Sequence, residues 1–316
     1  MGKSCSNELS LPSSVSLAVL YGVSAVPAVL GNAAFLWVLY KSRTVRTVSN
    51  LLLSSLAVAD LFVGLLMDPV WIARCLLTPH PYSHPLKITI DSLWIQTSVT
   101  TTFSLCVVSL DRYIAVRSAL LYKEVVTYNR CYAAVSLVWI VSIAVGLSRV
   151  MITNPSHLPR LWMCVTIITI FLPMILIIFC NYHIFVVAKK QSKKIAVQNC
   201  SLRSLQVVFE GARNRKTAKT VGFVVALFLI SWFPSLVASF IHLTTSDHCT
   251  KQHMRLVWLW VELIAFTSSG INPWLYSLRN NGFKEEMKRV FGVTHDKTVR
   301  VSIKMNVIPK NSANAK

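Results

Sequence analysis

Asp111-Arg112-Tyr113 sets an acid, a guanidinium and a phenol in a row at the end of the apolar stretch Leu86–Val116. On a helix, adjacent residues point in different directions. Asp111 can therefore hold Arg112 from one side and leave it able to exchange partners when its surroundings move. The tripeptide alone also fits a plainer reading, an interfacial charge pair that only ends an apolar run. A second group centres on Asp60, inside the apolar segment Ser54–Leu66. A carboxylate near mid-bilayer costs about 2.5–3.5 kcal/mol on insertion scales, so it is expected to face other helices and to have partners. Asn32, Thr101, Ser268, Ser269 and Asn272 are the candidates. Oxygens converging on a carboxylate suit a small hard cation such as sodium, and they equally suit a water-filled hydrogen-bond network. A third group is acidic and lies further out. At about 1.5 Å per helical residue, Asp68 falls about 12 Å beyond Asp60, Glu262 about 15 Å beyond Asn272, and Asp91 about 32 Å from Arg112. All three can border one pocket. Asp68 with Arg74 and Asp91 with Lys87 can instead form rim ion pairs, whereas Glu262 has no obvious basic neighbour.

The elements that must position these groups are membrane helices. The chain is 54% hydrophobic and only 14% charged, with a mean hydropathy of +0.55, against roughly 25% charged residues in soluble domains. Apolar runs occur near 14–40, 49–74, 86–116, 131–150, 158–188, 218–242 and 254–278. Each is long enough to span a bilayer as a helix, the form in which backbone groups are satisfied within the segment. The fold class expected is an all-α membrane protein, a seven-helix bundle. Residues 1–13 form an outer N-terminus, 14–280 the bundle, 281–291 a short amphipathic helix on the inner membrane surface and 292–316 a polar, basic, disordered tail. Met1–Pro12 is polar, and no cleavable leader is expected. Pro173, Pro234 and Pro273 fall inside the last three helices, where each removes a backbone hydrogen bond and offers a hinge.

The net charge of +20 does not mark a nucleic-acid binder, since no nucleic-acid-reading module is present. Of the 32 lysines and arginines, 25 fall in the segments that alternate with the remaining 7. The positive-inside rule then puts the N-terminus outside and the tail in the cytosol, as in a plasma-membrane protein in contact with lipid. No HExxH, no G-x-S-x-G and no metal-spaced His/Cys cluster occurs, so an enzyme is not expected. A seven-span transporter or channel is the alternative class, but internal repeats and a pore-like charge ring are missing from the sequence.

Taken in order, the motifs resemble those of rhodopsin-class (class A) G-protein-coupled receptors. They are Gly31-Asn32, Leu56-Ala57-Val58-Ala59-Asp60, Asp111-Arg112-Tyr113, Trp139, Pro173, Ser231-Trp232-Phe233-Pro234, Asn272-Pro273-Trp274-Leu275-Tyr276 and the following Phe283. The resemblance implies a receptor that couples an extracellular ligand to a heterotrimeric G protein by outward motion of the sixth helix. By it, Arg112 enters the G-protein interface beside Asp111 and Tyr113, Leu120 packs on the G protein, and Tyr276 swings towards Arg112. Trp232 and Phe228, with Pro173, Pro234, Asn272 and Pro273, transmit ligand binding. Asp60, Thr101, Ser269 and Asn272 hold an allosteric sodium ion, and no other cofactor is implied.

Several positions depart from that pattern. Asn181 stands where a tyrosine is usual. Asn214 stands where an acid often restrains Arg112, which implies ligand-free signalling. Lys87 replaces the cysteine at the outer end of the third helix, and the short loop 152–157 lacks its partner. Melanocortin-type receptors are similar in both respects. Of the cysteines on the oxidising side, Cys5 and Cys249 are the pair expected to bridge. Phe266 occupies the position of the opsin lysine, which argues against a photoreceptor. Trp94 occupies that of the aminergic aspartate. The ligand is expected to be a cationic small molecule or peptide, met by Asp68, Asp91, Trp94, Glu262 and Phe266.

Overall fold

The computed structural model describes residues 9–77, 84–118, 121–197, 223, 226–279 and 281–292, without the side chains of 188, 191–197, 275–279 and 281. Seven helices in it are long and apolar enough to cross a membrane. They are α1 (Leu11–Lys41), α2 (Val48–Leu76), α3 (Pro85–Arg117), α4 (Tyr128–Met151), α5 (apolar span Pro155–Val187), α6 (Ala226–Thr244) and α7 (His248–Arg279); α8 (Asn281–Val290) follows. Most observed ends lie within a few residues of the expected ones, because local signals set them; α7 starts six residues early at His248, and the helix of α5 runs on to Val197. The hydroxyls of Ser10, Thr47 and Thr127 accept hydrogen bonds from the backbone N–H three residues on, capping α1, α2 and α4. Pro85 opens α3 and Pro155 the first turn of α5, positions where the missing N–H is harmless.

α3 is the axis of the bundle. In its apolar window 72% of residues are buried, against 22% in α1 and in α4, so α3 is surrounded while the other two show most of their surface outwards. It packs on α2, α4 and α5, and α1 closes the bundle against α2 and α7. The close approaches rest on small residues. A Cβ on Gly146 of α4 would come within 2.9 Å of the Ser92 carbonyl oxygen, and one on Gly31 of α1 within 2.6 Å of the Pro273 ring.

Prolines sit inside more helices than the sequence reading named. Pro27 lies within α1, and Pro69 lies within α2. In α2 and α5 the helix widens to a π turn, at Val63–Met67 and Ile167–Phe171, two residues before Pro69 and Pro173. A proline cannot donate to the carbonyl four residues back and crowds it, and a wide turn relieves that crowding. α8 docks as expected through Phe283, which is buried and stacked on Phe35 at 4.9 Å, with Met287 and Val290 beside it. Phe291 is 51% exposed, because the helix ends at Val290 and Gly292 turns with φ 70°.

Candidate functional site

The candidate groups stack in three layers along the bundle. At the end where α3 stops, Asp111 is buried and fully engaged. The Ser49 hydroxyl of α2 donates to one oxygen at 2.9 Å, where Arg112 also pairs at 2.8 Å. The Tyr122 hydroxyl, from the single helical turn Tyr122–Val125 after α3, donates to the other at 2.6 Å. Burial, with the Asp111 carboxylate beside it, pushes the Tyr122 phenol up to about 12, so it remains a donor at physiological pH. The Arg112 side chain keeps 17% of its surface exposed. Tyr113 turns to α5, its ring against Phe179 and His183, and Arg117 hydrogen-bonds its hydroxyl. Leu120 and Asn214 lie outside the described residues, and so does the side chain of Tyr276.

The middle layer surrounds Asp60, which is fully buried. Asn272 Nδ2 donates to it at 2.9 Å, and the Ser269 hydroxyl hydrogen-bonds it as well. The second oxygen of Asp60 and the hydroxyl of Thr101 have no partner among the described residues. This donor set fits a small hard cation: one free carboxylate oxygen, one free hydroxyl and further oxygen ligands. Asn32 ties α1 to α7 by donating to the Ser269 carbonyl at 3.1 Å. A small cavity lies alongside, lined by Thr101, Ser269, Phe266 and Trp232 among others. Trp232 of α6 is buried beside Phe228, ring centres 5.8 Å apart, and its indole N–H has no partner among the described residues. The Pro173 carbonyl accepts a weak bond from the Cys106 thiol at 3.9 Å. Pro234 and Pro273 lie within α6 and α7 as expected.

The third layer differs most from the expectation. Asp91 is not a rim residue paired with Lys87 alone. It is buried, with Lys87 on one oxygen and Arg149 Nε of α4 on the other at 3.1 Å. Arg149 is itself 2% exposed and also reaches the Ile152 carbonyl at 3.4 Å. Two cations on one acid leave no negative charge there for a ligand. Asp68 forms no ion pair with Arg74, whose guanidinium instead lies over the Trp71 ring at 4.8 Å. Glu262 has a partner in Trp94, whose indole N–H donates to it at 2.8 Å. Trp94 in turn packs edge-on against Trp162 and Trp258, and Phe266 against Tyr21 and Trp71. Cys249 is disulfide-bonded to a partner outside the described residues, and Cys75, Cys106, Cys131, Cys164 and Cys180 are free.

Sequence reasoning missed Ser49, Tyr122 and Arg149. An arginine set within an apolar run needs a buried acid, and this signal pointed to Arg149, though not to which of the outer acids it meets.

Comparison with known proteins agrees with this architecture. The profile of the 7 transmembrane receptor (rhodopsin family) matches residues 31–276. Trace amine-associated receptor 7e of Mus musculus is 28% identical over 298 residues, 86% of this chain and 81% of the relative. Trace amine-associated receptor 6 of Pan troglodytes is 27% identical over 307 residues, 90% of this chain and 88% of the relative. The Homo sapiens receptor 6 is 27% identical over 87% of this chain and 85% of its own length. A match that covers most of the 316 residues, in a chain with seven helices long and apolar enough to cross a membrane, shows that it belongs to the rhodopsin family of seven-transmembrane receptors.

Proposed function

We propose that this receptor sits in the plasma membrane with its N-terminus outside, binds a small extracellular cation, and drives nucleotide exchange on a heterotrimeric G protein. The observation that carries the ligand's sign is Glu262. It is fully buried, one of its oxygens has no partner among the described residues, and the Trp94 indole holds the other. Trp94 stands where the resemblance places an aminergic aspartate, so the anchoring charge has crossed from α3 to α7. The relatives' names associate them with trace amines, and this supports the same reading. Asp91 drops out of the anchoring set because Lys87 and Arg149 neutralise it. A basic peptide is the second reading, favoured by the outer connection between α4 and α5, which is little more than the turn Pro155–His157.

At the inner end, Asp111 clasps Arg112 in a resting arrangement, and release of that clasp as α6 moves outward exposes the guanidinium to the G protein. Tyr113, Leu120 and Tyr276 complete that surface. Phe228, Trp232, Pro234, Pro173, Asn272 and Pro273 form the link between the two ends. Asp60, Thr101, Ser269 and Asn272 would hold sodium, which stabilises the resting state, and Cys5 is the proposed disulfide partner of Cys249. The test is nucleotide exchange on a reconstituted G protein. Arg112→Ala at normal surface expression is expected to abolish it, and unchanged exchange would refute the coupling role. Glu262→Gln is expected to weaken a cationic agonist. A neutral or anionic agonist untouched by that change would overturn the anchor.

A further inference from the structure

Among the described residues, three buried carboxylate oxygens in the outer half of the bundle have no donor: both of Asp68 and one of Glu262. The two side chains are each 0% exposed. Their neighbours meet between α1, α2 and α7. Phe266, four residues after Glu262 and so on the same face of α7, packs its ring 5.6 Å from Trp71, three residues after Asp68 on α2. It also lies 6.2 Å from Tyr21 of α1. The Tyr21 hydroxyl donates to the Leu259 carbonyl at 2.6 Å, one turn from Glu262. The Trp71 indole N–H is also without a partner among the described residues. Arg74 makes no ion pair with either acid and lies over the Trp71 ring. Buried carboxylate oxygens without donors are rare in folded proteins, and such a cluster calls for a partner that supplies them.

We infer that the crevice between α1, α2 and α7 takes the charged head of the ligand on Asp68 and Glu262 together, and that this head carries several N–H donors, as a primary ammonium or a guanidinium does. The inference rests on the reading of the protein as a receptor for a cation and goes further in naming which cation. Three acceptors need donors as well as charge. A primary ammonium brings three N–H groups and a guanidinium five in a planar fork, whereas a quaternary ammonium brings none. The Trp94 N–H already satisfies the other Glu262 oxygen, which fixes the carboxylate with its free oxygen available. Tyr21, Trp71 and Phe266 supply aromatic walls that favour any cation equally, so the free oxygens decide among cations.

The test uses matched probes on propyl, benzyl and phenylethyl chains: the primary amine, its N,N-dimethyl and N,N,N-trimethyl forms, and the corresponding guanidine. Binding to the full-length receptor is read by thermal shift and by saturation titration, in the native protein and in the isosteric variants Asp68→Asn and Glu262→Gln. Primary amines and guanidines are expected to bind at least about tenfold more tightly than their trimethyl forms, as loss of a charge-assisted hydrogen bond implies. Each variant is expected to remove that preference, weakening the primary amine and the guanidine more than the trimethyl form, which loses only the attraction of the charge. Trimethyl forms that bind as tightly as primary ones, or a preference that survives Asp68→Asn, would overturn the inference and leave the cation reading standing. If no cation on any chain binds the folded receptor, the cation reading falls and this inference with it.

Discussion

The buried triad of Lys87, Asp91 and Arg149 gives the sharpest prediction about stability. Replacing Arg149 by methionine keeps the apolar stem and deletes the charge. Asp91, 4% exposed, then retains Lys87 on one oxygen and loses the 3.1 Å partner on the other. Breaking a buried pair from one side costs about 3–5 kcal/mol, and the surviving lysine places this case near the lower end. The lost contact with the Ile152 carbonyl adds about 1 kcal/mol. The total, about 3–4 kcal/mol, corresponds to a fall of about 6–12 °C in apparent Tm, at roughly 2–3 °C per kcal/mol for a chain of this size. The assay is thermal unfolding in detergent with a thiol-reactive fluorophore, since Cys75, Cys106, Cys131 and Cys180 are free, buried reporters. A variant within about 2 °C of the native Tm would refute the reasoning.

Tyr122→Phe removes one of the donors on Asp111, worth about 1–2 kcal/mol. It should raise ligand-free nucleotide exchange several-fold at equal expression, and unchanged basal exchange would show that Tyr122 does not restrain the clasp. Sodium should raise the Tm of the native protein over a matched potassium control, by mass action on the resting state. Asp60→Asn should abolish the difference, and equal curves in the two salts would favour the water network. Gly146→Ala drives a methyl group towards the Ser92 carbonyl at 2.9 Å. Forcing α3 and α4 apart in this way should lower apparent Tm by several degrees, and an unchanged Tm would mean that the two helices yield there at no cost.

The seven spans were legible because length and apolarity alone specify a membrane helix, and their ends because caps such as Thr47 and Thr127 are local. The Asp60 layer was legible because few side chains can meet a carboxylate in an apolar interior. The outer layer was not, because its partners are remote in sequence: Arg149 lies 58 residues from Asp91, and Glu262 lies 168 from Trp94. Residue spacing gave the depth of Asp68 but could not give its direction. Pro69 was the visible sign that α2 does not turn evenly there.

That uneven turn fixes which way Asp68 faces. Eight residues of unbroken α-helix would rotate Asp68 roughly 80° away from Asp60, since each residue turns about 100°. The π turn at Val63–Met67 carries one surplus residue, which takes back roughly 100° and returns Asp68 to the face that holds Asp60. The outer third of α2 is thus indexed like a dial, one residue behind the inner part. Removing Leu65, which is 56% exposed and not part of the core, should restore an unbroken α-helix, with seven residues and again roughly 20° between Asp60 and Asp68. The span would remain, Asp60 would keep Asn272, and Asp68 and Trp71 would hold the face they hold now.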